Sequence, residues 1–328
     1  RHSDAHNGYD EINGHLGGAA APALGHMTVV VRPGDLEAHR ESVIELFARH
    51  LNPRYDAARF EWVYRRNPDG PGRLWVAVDD GSGEVVGAAS AFPRRMATPD
   101  GVTPALVLGD FCLSDRYRSL GPALQLQRAC LAQVDAGPAA FCYDFPSAGM
   151  MAVYRRLGLN PIGTMLRLTL PLRLDHRLAP HIGVPWLSRG LSSVGNRALA
   201  MMGPRSRAAD VSVGIDDREC GEEFSEVARE VGARYGVCVN RTATYLNWRY
   251  RDNPTGRFEF VTARRRGRLR AYAVVSRQTD SATLEDLYGA DESGILETSS
   301  KTPGLLNCRR QLRTGCLIRR PRFPGRRP

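Results

Sequence analysis

The sequence predicts an α/β protein with a mixed sheet, its fold begun twice along one chain and the second copy incomplete. Three observations carry that expectation. The chain has 328 residues and 42% apolar content, enough for two domains with their own cores. The phrase WVYRRNPDG, Trp62 to Gly70, returns 186 positions later as WRYRDNPTG, Trp248 to Gly256, with six of nine residues identical. Around each copy, helix-period segments precede a run of strand-like segments.

The first domain is predicted over 27–173. An apolar strand pattern, TVVVRP, opens it. From Asp35 to Leu51, Leu36, Val43, Ile44, Leu46 and Phe47 fit one helical face, introduced by Pro33 and Gly34 and stopped by Asn52 and Pro53. A second helix is predicted from Asp56 to Arg66, ended by Asn67, Pro68 and Gly70. Leu74–Val78 and Glu84–Phe92 read as a hairpin across a Gly/Ser turn, and a polar connection leads to a third strand, Ala105–Leu113. Beyond it a Gly/Pro turn opens an amphipathic helix of about fifteen residues. AAFCYDF reads as a short buried strand, SAGMMAVYRRLGL as a helix ended by Gly158, and PIGTMLRLTLPLR as closing strands.

A connector, 174–210, contains WLSRGLSSVGNRALAMM, whose apolar spacing fits a helix. A bridging helix packed on one domain is expected over a membrane-surface helix, because Arg189 and Arg197 are too few for a basic interfacial face. The second domain, 211–291, begins at about Val211 and restarts with a helix, Cys220–Tyr235. A helix ending in the repeated phrase follows, then the strands FEFVTARR, LRAYAVVS and ATLEDLYG. A disordered leader is expected over 1–26, where four of the eight histidines (His2, His6, His15, His26) are irregularly spaced, and a basic disordered tail over 292–328.

Charge placement argues against nucleic-acid binding. Lys301–Pro328 holds nine basic residues and no acidic ones, so of the net +10 the rest of the chain carries +1 (10 less 9). A reader of phosphates would carry its basic patch on the folded body. The seven cysteines (Cys112, Cys130, Cys142, Cys220, Cys238, Cys308, Cys316) are odd in number and lack zinc-site or redox-pair spacing, so no metal is expected, and the thiols read as reduced in a cytoplasmic protein. No run approaches the ~20 apolar residues of a membrane span, and no export signal is expected.

The informative segment is Arg118-Ser119-Leu120-Gly121-Pro122-Ala123, a tight turn between strand and helix. Amides at a helix N-terminus lack intrahelical partners and lie at the positive end of the dipole, a setting for phosphate oxygens. Gly121 has no side chain to obstruct approach, and Ala123 only a methyl. The segment resembles the acyl-CoA pyrophosphate signature (Arg or Gln)-x-x-Gly-x-(Gly or Ala) of the GNAT superfamily of N-acetyltransferases. LVLGDFCLS before it looks like that family's fourth strand. VYRRLG, with Tyr154 lying 36 residues after Arg118, is similar to the family's Tyr-x-x-Leu-Gly motif. The match covers Met27 to Arg173.

The resemblance implies a GNAT-like fold in which Arg118–Ala123 cradles the pyrophosphate of acetyl-CoA or another acyl-CoA through backbone amides. It also implies that the backbone of Phe111, Cys112 and Leu113 pairs with the pantetheine arm like an added strand. Pro122 departs from the pattern by removing one donor; a place at the first helical position would make that loss small. Tyr154 occupies the place of the family's tyrosine that protonates the leaving sulfur. Spacing alone favours instead a core tyrosine on the stripe Met150, Val153, Tyr154, Leu157. Asp110 is a candidate base or ammonium ligand, and equally a carboxylate that caps a turn or faces solvent. A covalent cysteine is excluded, since no His lies between His50 and His176 to activate Cys112 or Cys142.

The expected function is therefore transfer of an acyl group from acyl-CoA to a primary amine of a small molecule or sugar, carried by the first domain. After its third strand the second domain has no Arg-x-x-Gly-x-Gly and no Tyr-x-x-Leu-Gly, and reads as non-catalytic. The alternatives are a non-catalytic acyl-CoA- or partner-binding module and a Fem-type aminoacyl transferase; the pyrophosphate turn weighs against the latter. Arg54, Arg65, Arg66, Arg94 and Arg95 could recognise an anionic acceptor, or simply be solvated.

Overall fold

A computed structural model describes residues 28–163, 210–278 and 281–290. They fall in two compact units. The leader, the closing strands beyond residue 163, the connector helix around Trp186 and the basic tail lie outside the described residues.

The first unit starts with β1 (Val29–Gly34), the TVVVRP pattern. Helix α1 (Arg40–His50) begins five residues later than its apolar pattern. The cause is Asp35, whose Oδ1 accepts the amides of Glu37 and Ala38 at 2.8 Å each and ties the chain into a turn first. The second helix is split. Asp56 caps the four-residue α2 (Ala57–Phe60), which passes into one π-type turn, Glu61–Arg65, closed by Arg66 N–H donating to Glu61 C=O at 2.9 Å. The wider turn buries Trp62, Val63 and Tyr64 in succession, which no single α-helical face would do.

Strands β2 (Arg73–Asp79), β3 (Val85–Thr98) and β4 (Gly101–Leu113) form an antiparallel meander, and β5 (Phe141–Tyr143) joins β4 in parallel, giving the order β1-β2-β3-β4-β5. The predicted polar connection after Phe92 is instead strand. β3 and β4 stay paired to Thr98 opposite Gly101. Polar side chains hid this. Arg94 is buried, donating to Asn67 Oδ1 at 3.1 Å and to Pro93 C=O at 2.7 Å, while Asn67 Nδ2 donates to Pro93 C=O at 3.1 Å. The Asn of the repeated phrase thus clips its turn to β3, and Arg94 serves the fold rather than an acceptor.

Helix α3 (Leu120–Ala136) follows a 3₁₀ turn (Asp115–Tyr117), and α4 (Ala148–Arg156) follows β5. One core cluster joins Ala123, Leu126, Cys130 and Val134 of α3, Met150, Val153 and Tyr154 of α4, and Trp75, Ala77, Ala89, Ala91, Leu106 and Leu108 of the sheet. Gly158, with φ of +77°, ends the α4 segment as expected.

In the second unit β6 (Val211–Asp216) precedes the helix, a strand that the sequence reading passed over. Helix α5 (Glu222–Tyr235) starts after Gly221 rather than at Cys220. The two-residue β7 (Cys238–Val239) and α6 (Ala243–Leu246) lead into another π-type turn, Asn247–Arg251, over the second copy of the phrase. β8 (Phe258–Arg265), β9 (Arg268–Arg277) and β10 (Ala282–Gly289) complete an antiparallel sheet ordered β10-β9-β8-β6.

Candidate acyl-CoA site

β5 pairs with β4 only over Ala105–Val107, opposite Phe141–Tyr143. Past Val107, β4 runs on to Leu113 with β3 on one side and no pairing to β5 on the other. A parallel pair that parts in this way leaves one edge of β4 with backbone donors and acceptors to offer to an extended ligand. Phe111, Cys112 and Leu113 lie on that stretch. Cys112 is buried, and burial pushes its thiol well above the usual cysteine range, so it is no nucleophile.

The β3–β4 register breaks at the same place. Gly109 faces Ser90 and Cys112 faces Ala88, so Asp110 and Phe111 together oppose the single residue Ala89. Asp110 has φ of +46°, a left-handed conformation that Asp tolerates better than most residues. Its carboxylate is 3% exposed. Tyr55 donates to Oδ2 at 2.9 Å and Tyr64 at 3.3 Å, and an Arg59 guanidinium nitrogen stands 3.7 Å from Oδ1. Asp110 therefore does not face solvent. Burial foremost, then the Asp110 charge, pushes both tyrosines up from their ordinary range and keeps them as donors.

The turn from strand to helix is present, but it offers fewer free amides than its sequence suggested. Arg118 N–H donates to Asp115 C=O at 3.3 Å, Ser119 N–H to Tyr117 C=O at 2.7 Å, and Ala123 N–H to Ser119 C=O at 3.3 Å. Ser119 is the N-cap, so Leu120 and Gly121 are the first two helical residues and Pro122 is the third, not the first. The amides of Leu120 and Gly121 remain for an anion; Pro122 removes a donor from within that set. Ala123 packs into the core instead of lining the approach. A side chain at Gly121 would meet nothing within 4 Å, and the residue is exposed. Two ties fix the turn: Tyr117 donates to Asp79 Oδ2 at 2.6 Å, and Arg118 pairs with Asp115 at 2.8 Å.

Tyr154 is buried in the α3–α4 core, as the stripe reading expected, yet its hydroxyl donates to Asp144 Oδ2 at 2.6 Å. Asp144 directly follows β5, so the pair lies at the end of β5 where it has left β4. Burial raises the Asp144 carboxyl to about 6, against the lowering pull of the Tyr154 hydroxyl and the Phe145 amide. Burial first, then the Asp144 charge, holds the Tyr154 hydroxyl well above its ordinary range. Asp144 escaped the sequence reading. Its signal is a lone charge ending the apolar strand AAFCY, ten residues before Tyr154.

A parted parallel strand pair, a bulge beside the opening and a helix N-terminus beyond it follow one another along residues 101–123. The sequence over 27–162 matches the model of the acetyltransferase (GNAT) domain. Over residues 27–162 the chain is thus similar to a GNAT acetyltransferase domain.

Among solved structures, the chain resembles a protein from Enterococcus faecalis V583 described as a probable N-acyltransferase, with TM-score 0.60 and 13% identity over 84% of this chain and 64% of that one. It also resembles a GCN5-related N-acetyltransferase from Anabaena variabilis ATCC 29413, with TM-score 0.57 and 10% identity over 82% and 61% of the two chains. A third, a GCN5-related N-acetyltransferase from Kribbella flavida, gives TM-score 0.52 and 15% identity over 82% and 60%. At such identities the likeness is one of fold. The aligned part is under two thirds of each of these proteins. No curated protein sequence matches the chain. Among the described residues no group of three or more His, Cys, Asp or Glu is placed to hold a metal ion, and no helix is long and apolar enough to cross a membrane.

Proposed function

We propose that the chain transfers an acetyl or other acyl group from acyl-CoA directly to a primary amine of a small molecule or sugar, and that the GNAT domain alone does so. The observation that carries this reading is the open edge of β4 leading, within ten residues of Phe111, to the free amides of Leu120 and Gly121. The amides would hold pyrophosphate oxygens, with the helix dipole favouring their charge. The backbone of Phe111–Leu113 would line up the extended arm. A thioester supplies the acyl group and a sulfur that needs a proton as it leaves. Tyr154, kept protonated by burial and by Asp144, would supply that proton from its hydroxyl.

The second unit supports an incomplete second copy: its sheet order, its π-type turn and its phrase parallel the first, while the sequence after Gly289 has neither motif. A reducing, cytoplasmic setting suits the free cysteines among the described residues, four of them buried. The test is release of CoA thiol from acetyl-CoA by the full chain across a panel of amines. Amine-dependent release that is lost in Tyr154→Phe supports the reading. Release by no amine, with acetyl-CoA bound, would favour the binding module instead.

A further inference from the structure

We infer that Asp110 is a positioning residue that anchors the β4 bulge and, through it, the backbone of Phe111; this rests on the acyltransferase reading above. Leu106 and Leu108 point into the α3–α4 core. A strand's period of two would send the next even residue, Asp110, the same way, a charge under an apolar helix layer. The bulge prevents this. Its extra residue resets the alternation, so that Phe111 and Leu113 now pack on that core and Asp110 swings to the opposite side, where Tyr55, Arg59 and Tyr64 receive it. Bulge and carboxylate cluster explain one another: the positive φ needs a tether, and the tether needs the bulge.

The second unit supplies an internal control. Leu108-Gly109-Asp110-Phe111 has a counterpart in Leu284-Glu285-Asp286-Leu287 on β10. There too the register shifts, between Leu284 and Asp286, and there too the carboxylate is buried, at 6% exposure. Arg241 Nε donates to Asp286 at 2.8 Å and Tyr250 at 3.4 Å. Tyr250 stands in the repeated phrase where Tyr64 stands in the first copy, each two residues after the Trp. At the two other positions the residue types are exchanged. Seven residues before each Trp stand Tyr55 and Arg241, and three before stand Arg59 and Tyr245. The assembly survives that exchange in a unit whose following sequence lacks the phosphate turn, so its common role is to hold a bulged strand, not to take a proton from an amine.

The experiment uses the full chain carrying Asp110→Ala, Asp110→Asn or Asp286→Ala. Four readouts are taken: acetyl-CoA affinity by calorimetry, amide exchange over 108–113, melting temperature, and amine-dependent turnover. Asp110→Ala is expected to weaken acetyl-CoA about tenfold or more and to speed exchange at Phe111 and Cys112. Asp110→Asn, whose Oδ1 still accepts from Tyr55, is expected to stay within about threefold. Asp286→Ala is expected to lower the melting temperature as Asp110→Ala does, yet leave the acetyl-CoA affinity unchanged. Wild-type acetyl-CoA affinity and exchange in Asp110→Ala would overturn the inference, as would amine-dependent turnover as low in Asp110→Asn as in Asp110→Ala, the mark of a base. Should Asp110→Ala not fold, Tyr55→Phe replaces it; unchanged affinity and exchange there would also overturn it. Failure of the wild type to bind acetyl-CoA would strike the acyltransferase reading alone, since exchange over 108–113 still reports whether Asp110 anchors the bulge.

Discussion

The Tyr154 hydroxyl donates to the Asp144 carboxylate across 2.6 Å, joining the family-like Tyr-x-x-Leu-Gly helix to the end of β5. The bond couples a core tyrosine to a half-buried carboxyl that burial pushes up to about 6. Replacing Tyr154 by Phe should lower kcat by about 100-fold, the usual worth of a positioned acid, with acetyl-CoA affinity kept within about twofold. The Asp144 carboxyl, losing a bond that holds it down, should titrate above its wild-type value. Steady-state kinetics and a carboxyl titration by NMR check both.

The same carboxyl makes a stability prediction. Its folded pKa of about 6 lies above its ordinary 3.8, so the folded state binds the proton more tightly. Its contribution therefore favours the fold below 3.8 and is lost as the pH rises through about 6. Asp144→Asn keeps an acceptor for Tyr154 and cannot ionise. The loss of stability between pH 4 and pH 6, read from denaturant midpoints and about those two pKa values, should be smaller in the variant than in the wild type.

Pro122 occupies the third helical position, where it withholds an amide from the proposed anion cradle. Pro122→Ala should restore it and tighten acetyl-CoA by roughly three- to tenfold. Gly121→Asp should act in opposite senses on fold and ligand: a carboxylate in the first turn stabilises the helix by about 0.3–1 kcal/mol, yet repels a pyrophosphate and should weaken acetyl-CoA about tenfold or more. Calorimetric titration beside thermal melts separates the two effects.

Two glycines of this domain differ in what surrounds them. A Cβ on Gly87 would come to 2.4 Å from Leu113 Cδ2 and 3.2 Å from Ala77 Cβ, whereas one on Gly121 meets nothing within 4 Å. Gly87→Ala should cost about 1–3 kcal/mol and disturb the end of β4, while Gly121→Ala should leave stability unchanged or slightly raised. Urea unfolding of both variants decides this.

The element order of the first domain was legible because apolar spacing and Gly/Pro punctuation agree there. Legibility failed where polar groups are satisfied inside the fold. Arg94 and Arg95 disguise six more residues of β3, because a buried arginine bonded to Asn67 looks in sequence like a solvated one. The π-type turns are invisible to a 3.6-residue period, although three successive large residues, Trp62-Val63-Tyr64, mark one. At the candidate site, the motif marked the strand-to-helix turn but not which of its amides stay available, since hydrogen bonding within the turn occupies Arg118 and Ser119 and leaves Leu120 and Gly121. Tyr64 and Tyr250 repeat for a reason that sequence conceals: each reaches a buried aspartate on a later strand, 46 and 36 residues on.

The central claim is that one half of this chain carries the chemistry and the other repeats only the scaffold. Calorimetric titration of the full chain with acetyl-CoA tests it most directly. The account predicts saturable binding of one acetyl-CoA per chain, weakened about tenfold or more by Gly121→Asp and indifferent to Asp286→Ala. Two molecules bound per chain, or none by folded protein, would contradict it.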